Sequence, residues 1–98
     1  MPTSLLLAES GSTKTDWCLL RPDARVVRFK TPGINPYLQT PQAISHMLSE
    51  ELSWNKSKYQ ADAITFYGAG AGNTANQKIV QDALQHFFGV EKIGRAHV

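Results

Sequence analysis

The order of apolar and polar positions predicts a group of short strands at the start of the chain. A continuous apolar run over residues 4–8 is typical of a strand buried on both faces, and residues 9–12 end it in a turn. The stretches 13–20 and 25–30 predict two more strands, separated by a turn at 21–24. We therefore expect the chain to begin with a three-stranded meander.

A loop with two prolines and a glycine, residues 31–37, separates this meander from a predicted helix. Thr40 is a suitable N-cap for the helix, and Pro41 suits its first turn. The helix is expected to extend to about Ser53. Its apolar stripe consists of Ile44, Met47, Leu48 and Leu52.

Residues 61–67 predict another buried strand, which ends at the glycine-rich stretch 68–72. Asn73 or Thr74 caps a second helix, and Gly89 closes it. The apolar stripe of this helix consists of Ile79, Val80, Ala83, Leu84, Phe87 and Phe88. The element order β-β-β-α-β-α predicts an α/β fold in which helices pack on a mixed sheet.

Composition limits the classes of protein that fit. With 98 residues, 42% of them hydrophobic, the chain is expected to form one small globular unit. No stretch reaches the roughly 20 apolar residues of a membrane helix, and residues 5–8 lack the flanks of a signal peptide. We therefore expect a soluble, cytoplasmic protein without a membrane partner. The net charge of +2 is carried by scattered lysines and arginines, so nucleic acid is not an expected partner.

Cys18 is the single cysteine, which excludes intramolecular disulfides and cysteine-held zinc or iron–sulfur centres. His46 and His86 have no second ligand at metal spacing, so we expect both at the surface. The sequence therefore offers no direct metal site.

The last six residues of the chain resemble a sequencing artefact. Residues 93–98, IGRAHV, match the translation of a widely used sequencing adaptor. Our hypothesis is that the reading frame enters adaptor after about Lys92, so that residues 1–92 are part of a longer natural domain. Residues 93–98 would then be a non-native tail without a structural role. Val90 is a possible start of another strand, and the last strand of the pattern would be missing. The alternative is a natural basic C-terminus.

The first glycine-bearing loop, residues 9–16, lies between two predicted strands. It does not match a Walker A loop, which needs a Gly-Lys-Ser/Thr ending at the start of a helix. It can still bind phosphate, because Gly11 allows close approach of the backbone. The donors are the hydroxyls of Ser12, Thr13 and Thr15 and the ammonium of Lys14. The alternative is an ordinary polar hairpin turn.

Residues 7–17, LAESGSTKTDW, resemble the first phosphate motif of the BadF/BadG/BcrA/BcrD ATPase family, most closely its N-acetylglucosamine kinase branch. The motifs PGINP at 32–36 and FYGAG at 66–70 follow in the family's order. The resemblance covers residues 5–92, the first part of a family member. It implies an RNase H-like, actin-like ATPase domain that uses ATP and Mg²⁺. It also implies an amino-sugar substrate, phosphorylated at its 6-hydroxyl, and a homodimer in the longer parent.

Carried over by this resemblance, the residues that face the ATP phosphates are Gly11, Ser12, Thr13 and Lys14. Glu9 takes the place where many actin-like ATPases have an aspartate that orients Mg²⁺-bound water, and glutamate also occurs in the N-acetylglucosamine kinase branch. Asn35 would hydrogen-bond the sugar. The general base of the family is an aspartate just after the next strand. No residue of this chain is assigned that role, and we expect the chain alone to be inactive.

The two other loops have interpretations of their own. The Asn35 amide both donates and accepts, as sugar hydroxyls require, although it could instead stabilise a Pro-Gly turn. The third loop does not fit a Gly-x-Gly-x-x-Gly dinucleotide fingerprint, because Asn73 stands where the last glycine is needed. We expect Gly68 and Gly70 to line the substrate cleft.

Two other functions stay open. One is an ATPase activator of a radical dehydratase within the same family, although such proteins hold an iron–sulfur cluster on cysteines and only Cys18 is present. The other is a binding or interaction domain without catalysis.

Overall fold

The computed structural model describes residues 4–11, 13–52, 61–68, 74–89 and 92–96. In chain order the elements are β1 (Leu5–Ser10), β2 (Lys14–Leu20), β3 (Val26–Pro32), α1 (Pro41–Leu52), β4 (Ala63–Gly68), α2 (Thr74–Phe88) and β5 (Lys92–Ala96). The predicted order of the first six elements is confirmed. The fold is α/β, with two helices and a mixed sheet.

The strands form a five-stranded sheet of order β3-β2-β1-β4-β5. The first three strands pair antiparallel, as a meander does. β1 also pairs with β4 in parallel, so it joins the meander to the half of the sheet that contains the crossover connections. This central strand therefore lies between a local hairpin partner and a partner far along the chain.

β5 changes the interpretation of the end of the chain. We expected no structural role for residues 93–98 and a missing last strand, and both expectations are wrong for residues 93–96. Lys92–Ala96 pairs in parallel with β4, with Lys92 opposite Ala63. The predicted boundary at residue 92 therefore coincides with the start of a strand. The adaptor origin of residues 93–98 stays a prediction.

The hydrophobic core lies between one face of the sheet and the two helices, because side chains alternate between the faces of a strand. The buried apolar side chains are Leu6, Ala8, Trp17, Leu19, Ile34, Ile44, Leu48, Leu52, Ile64, Phe66, Val80, Ala83, Leu84, Phe87 and Phe88. Trp17 stacks on Phe29, with ring centroids 5.6 Å apart. Its indole N–H donates to the Thr31 hydroxyl at 2.9 Å. This hydrogen bond satisfies the one polar atom of the largest core side chain.

The helix ends follow the local signals. The Ala43 N–H donates to the Thr40 hydroxyl at 3.1 Å, which confirms Thr40 as the N-cap of α1. Gly89 has a φ of 69°, and its N–H donates to the Gln85 carbonyl at 2.9 Å, as in a left-handed helix cap. The candidate cap Asn73 lies outside the described residues. Neither α1 nor α2, the helices in the described part of the chain, is long and apolar enough to cross a membrane.

Candidate functional site

Three segments meet at one end of the sheet. β1, β3 and β4 run in the same direction and end there, and β2 begins there. We call the residues at this end the loop cluster: Gly11, Thr13, Lys14, Gly33, Ile34, Asn35 and Gly68. In parallel sheets, ligands bind beyond the carboxyl ends of the strands, so this end is where a site is expected.

The predicted phosphate loop is a tight hairpin connection. The Gly11 N–H donates to the Lys14 carbonyl at 2.8 Å, so this main-chain donor is used within the loop. Gly11, Thr13 and Lys14 are exposed, and Ser12 lies outside the described residues. Among the described residues of this loop, the Thr13 hydroxyl and the Lys14 ammonium are exposed side-chain donors that can bond to phosphate oxygens.

Thr15 does not belong to this set of donors. We expected its hydroxyl to face a phosphate, but Thr15 is fully buried and donates to the Pro32 carbonyl at 3.1 Å. The alternation of strand β2 places Thr15 on the same face as the core residues Trp17 and Leu19. The Thr15 hydroxyl therefore forms hydrogen bonds within the protein and does not face the solvent.

Glu9 lies on the opposite face of the sheet from the core, and its side chain is exposed. It pairs directly across from Asp16 of β2. Residues directly opposite on antiparallel strands project to the same face, so two carboxylates lie side by side next to the loop. Lys30 of β3 comes within 3.7 Å of Asp16 and offsets part of their negative charge. The sequence alone did not identify Asp16 as a neighbour of Glu9.

Ser10 connects the phosphate loop to the Asn35 loop. Its hydroxyl accepts the Ile34 N–H at 2.8 Å and lies 2.9 Å from the Thr15 hydroxyl. The Gly33 N–H also donates to the Thr13 carbonyl at 3.2 Å. Ile34 itself is 1% exposed, so this loop is anchored in the core by a side chain. The structure thus brings two of the predicted loops into direct contact.

Asn35 is half-buried and forms a turn with the residues that follow it. Its side-chain Oδ1 accepts the Tyr37 N–H at 3.0 Å, and its own N–H donates to Gln39 Oε1 at 2.6 Å. This is the turn-stabilising role that the sequence left open for Asn35. One of the two lone pairs of Oδ1 is therefore engaged within the protein, and Nδ2 is the donor of the amide.

Gly68 ends β4 directly opposite Ser10 of β1. A Cβ placed on Gly68 would lie 2.7 Å from the Phe66 ring and 3.3 Å from Ser10 Cβ. The lack of a side chain is therefore required by packing next to the loop cluster. Gly70, the other glycine expected in the cleft, lies outside the described residues.

Sequence reasoning missed Ser10 and Asp16, and it assigned Thr15 the wrong surroundings. All three positions follow from extending the two-residue alternation of β1 and β2 to the ends of the strands. Ser10 continues the inward series Leu6 and Ala8. Asp16 lies on the outward face with Glu9. This two-residue periodicity is the sequence signal from which the positions of Ser10, Thr15 and Asp16 could have been predicted.

A groove of about 510 Å³ lies elsewhere, between the two helices. The residues that line it are Pro41, Gln42, Ser45, His46, Ser49, Asp82 and His86. Both histidines are exposed, as expected. No three histidine, cysteine, aspartate or glutamate side chains come together as metal ligands within the described ranges. No residue of the loop cluster lines this groove, and we assign it no role.

The fold and the loop cluster together define an α/β domain with a mixed sheet and a polar site at the end of its central strands. This chain is similar to the crystal structure of a Porphyromonas gingivalis protein described as a "putative N-acetylglucosamine kinase". The TM-score is 0.71 and the identity is 31%, over 95% of this chain. The chain spans 34% of that structure, about a third of its length. No family model and no curated protein matches the chain.

Proposed function

We propose that this chain is the N-terminal part of an ATP-dependent amino-sugar kinase that converts N-acetylglucosamine and ATP to the 6-phosphate sugar and ADP. One observation carries the proposal: 31% identity over 95% of the chain to the P. gingivalis structure, whose description names that activity. The motif at residues 7–17 supports the same conclusion. We infer an RNase H-like domain of the actin-like ATPase type, which the mixed sheet and its two helices support.

In this proposal the exposed hairpin loop binds the nucleotide phosphates. The Thr13 hydroxyl and the Lys14 ammonium receive phosphate oxygens, and Gly11 leaves space for them beside the main chain. Ser12 is assigned to the same set by its place in the motif. Such contacts act by positioning the phosphates and offsetting their charge, which are the main sources of catalysis in phosphoryl transfer.

The carboxylates beside the loop suit a hydrated magnesium ion. Mg²⁺ binds one or two carboxylates and keeps several waters, and Glu9 with its neighbour Asp16 supplies that donor set. Bound as Mg·ATP, the nucleotide supplies the γ-phosphoryl group that is transferred. Glu9 would hold a metal-bound water, and its longer side chain reaches further from β1 than an aspartate would.

Asn35 is the proposed sugar contact. Its Oδ1 is fixed by the Tyr37 N–H, which orients the amide plane so that Nδ2 can donate to a sugar hydroxyl. Gly68 lies opposite Ser10 at the same end of the sheet, where a bulky residue would fill the space. With Gly70, it is proposed to line the cleft.

No residue of this chain is assigned as the base that takes the proton of the sugar hydroxyl. The 98-residue chain is therefore expected to be inactive by itself, whereas the protein encoded by the longer reading frame should be active. The activator alternative is not favoured, because Cys18 is half-buried in β2 opposite Leu7.

The test is to recover the full reading frame from the source DNA and assay the longer protein with Mg·ATP and a panel of hexosamines. ADP release should require a hexosamine, with N-acetylglucosamine the best substrate. The 98-residue chain serves as the matched control and should release none. The proposal fails if the longer protein shows no hexosamine-dependent ADP release. Hexosamine-dependent ADP release by the 98-residue chain would show that the assignment of a missing base is wrong.

A further inference from the structure

Ser10 is a buried polar residue that the proposed catalysis does not use. It is 8% exposed, and its hydroxyl lies within hydrogen-bond distance of four groups, one of which is the Gly11 carbonyl at 3.5 Å. The Ile34 N–H donates to it at 2.8 Å, the Thr15 hydroxyl lies 2.9 Å away, and the Ile34 carbonyl lies 3.1 Å away. Ser10 is thus the point where β1, β2 and the Asn35 loop meet.

The Ser10 hydroxyl has one proton, which it can donate either to the Ile34 carbonyl or to the Thr15 hydroxyl. The Ile34 N–H can only donate, and the Pro32 carbonyl, which accepts from the Thr15 hydroxyl at 3.1 Å, can only accept. When Ser10 donates to Thr15, the bonds run from Ile34 through Ser10 and Thr15 to Pro32. Such chains are strengthened by mutual polarisation. The network begins and ends on the loop that carries Asn35.

The same residues connect the two predicted ligand sites. Ser10 immediately precedes Gly11 of the phosphate loop, and Ile34 immediately precedes Asn35. A second link, from the Gly33 N–H to the Thr13 carbonyl, joins the loops through main-chain atoms only. The side-chain links through Ser10 and Thr15 are therefore the ones that substitutions can remove.

We propose that Ser10 is a positioning residue that fixes Asn35 relative to the phosphate loop and couples binding of a nucleoside triphosphate to binding of a sugar. This inference rests on the proposed function of the two loops. Because coupling between sites is reciprocal, each ligand should strengthen binding of the other. Ser10→Ala removes the hydroxyl and leaves the buried Ile34 N–H without its acceptor.

The experiment uses NMR on the 98-residue chain, in the wild type and in Ser10→Ala, Thr15→Val and Thr15→Ser. Ser49→Ala removes an exposed serine hydroxyl from α1 and is the matched control. Amide exchange of Ile34 is compared with that of Leu19 in the core. We expect Ser10→Ala to speed exchange at Ile34 about tenfold relative to Leu19, the factor for one lost hydrogen bond. Thr15→Ser, which keeps the hydroxyl, should behave as the wild type.

The second measurement separates positioning from a purely structural role. N-acetylglucosamine is titrated with and without Mg·AMP-PNP, and the shift of the Asn35 amide is followed. The nucleotide analogue should strengthen sugar binding about fivefold in the wild type, at the lower end of typical couplings. In Ser10→Ala and Thr15→Val this ratio should fall to one, whereas Ser49→Ala and Thr15→Ser should keep it. A loss of overall stability would lower both titrations equally and leave the ratio unchanged.

The outcomes distinguish the two proposals. If both ligands bind to the wild type and the ratio is already one, or if Ser10→Ala keeps the wild-type ratio, the inference about Ser10 is wrong and the proposed function stands. If neither ligand shifts any amide of the loop cluster, in the 98-residue chain or in the longer protein, the assignment of these loops as nucleotide and sugar sites is wrong, and the coupling is rejected with it.

Discussion

The edge of the Phe66 ring lies over Gly68, two residues further along β4, so closely that a Cβ on Gly68 would come within 2.7 Å of ring atom Cε1. Phe66 is 2% exposed and cannot turn away without disturbing the core. We expect Gly68→Ala to lower the free energy of unfolding by about 1–3 kcal/mol, as overpacking does. The change in the free energy of unfolding is measured by urea denaturation monitored by circular dichroism.

A double substitution controls this prediction. Phe66→Leu shortens the ring that the new methyl group would meet, so Gly68→Ala should cost less in that background than in the wild type. An equal cost in both backgrounds would show that the contact with Phe66 is not the reason for the glycine.

Substitution of Gly11 by alanine should affect stability differently from the same substitution at Gly68. The nearest atom to a Cβ at Gly11 is the Lys14 carbonyl oxygen at 3.7 Å, an ordinary contact, and its φ lies outside the left-handed region. We expect Gly11→Ala to keep or raise the free energy of unfolding by up to about 1 kcal/mol. Binding of Mg·AMP-PNP, followed by amide shifts of Thr13 and Lys14, should weaken, because the methyl group takes the space of a phosphate. Unchanged nucleotide binding would contradict the phosphate role of Gly11.

Substitutions at Asn35 separate its turn from its proposed sugar contact. Asn35→Asp keeps the oxygen that accepts the Tyr37 N–H and removes the amide donor. Its free energy of unfolding should stay within about 0.5 kcal/mol of the wild type, whereas Asn35→Ala should lose about 1 kcal/mol. Both variants should lose the amide shifts caused by N-acetylglucosamine. Sugar binding by Asn35→Asp at the wild-type level would leave Asn35 only its role in the turn.

Substitutions at two residues with a left-handed backbone should change the free energy of unfolding in opposite directions. Ala24 and Gly89 both have a φ of 69°. Ala24→Gly removes the steric strain of a β-carbon and should raise the free energy of unfolding by about 0.5–1 kcal/mol. Gly89→Ala introduces that strain at the end of α2 and should lower it by about 1 kcal/mol. Gly89→Asn, which tolerates this conformation better, is the control and should lower it less. Changes of the same sign at both positions would contradict this account.

The structure predicts that Asp23 makes the stability of the fold depend on pH. The Arg25 backbone N–H donates to its carboxylate at 3.1 Å, and Arg25 Nε pairs with it at 2.6 Å. These interactions, the backbone bond first, hold the pKa of Asp23 below its usual range. A carboxyl whose pKa is lowered by folding stabilises the fold above its unfolded pKa, and this contribution is lost as the pH falls below about 4.

Carboxyl titration by NMR measures the pKa of Asp23 directly. Arg25→Gln removes the guanidinium and keeps the main-chain donor, so most of the lowering should persist. A pKa in the ordinary range in the wild type, or a complete return to it in Arg25→Gln, would show that the backbone hydrogen bond is not the main cause.

The sequence predicts those parts of the fold whose signals are local. The Thr40 cap, the helical spacing of Ile44 and Leu48, and Gly89 after α2 each depend on residues within one or two turns, and all three are confirmed. The strands of the meander are confirmed for the same reason, because hairpin pairing requires only neighbouring segments.

The candidate site was harder to predict because its contacts are long-range. Ser10 and Thr15 have the composition of a surface turn. The alternation of β1 and β2 places both on the inward face, but their hydrogen-bond partners on Pro32 and Ile34 are distant in the sequence. The burial of Ile34 is also not evident from its neighbours in the sequence. It lies between a glycine and an asparagine in a polar loop, yet its side chain belongs to the core. For β5, the sequence indicated only a possible strand start at Val90, because residues 93–98 were given no structural role on the ground of their proposed origin.

The pairing of β1 has a consequence for the order of folding. Its partner β2 follows after a short turn, whereas Ser4, just before β1, bonds to Asp62, 58 residues further along the chain. Closing so long a loop costs more chain entropy than closing a hairpin, so contacts of high contact order form later. The meander, with the Ser10 and Thr15 hydroxyls already close together, can therefore form before β4 docks. Gly68 then completes the loop cluster, so the proposed binding site would be complete only after β4 has paired with β1.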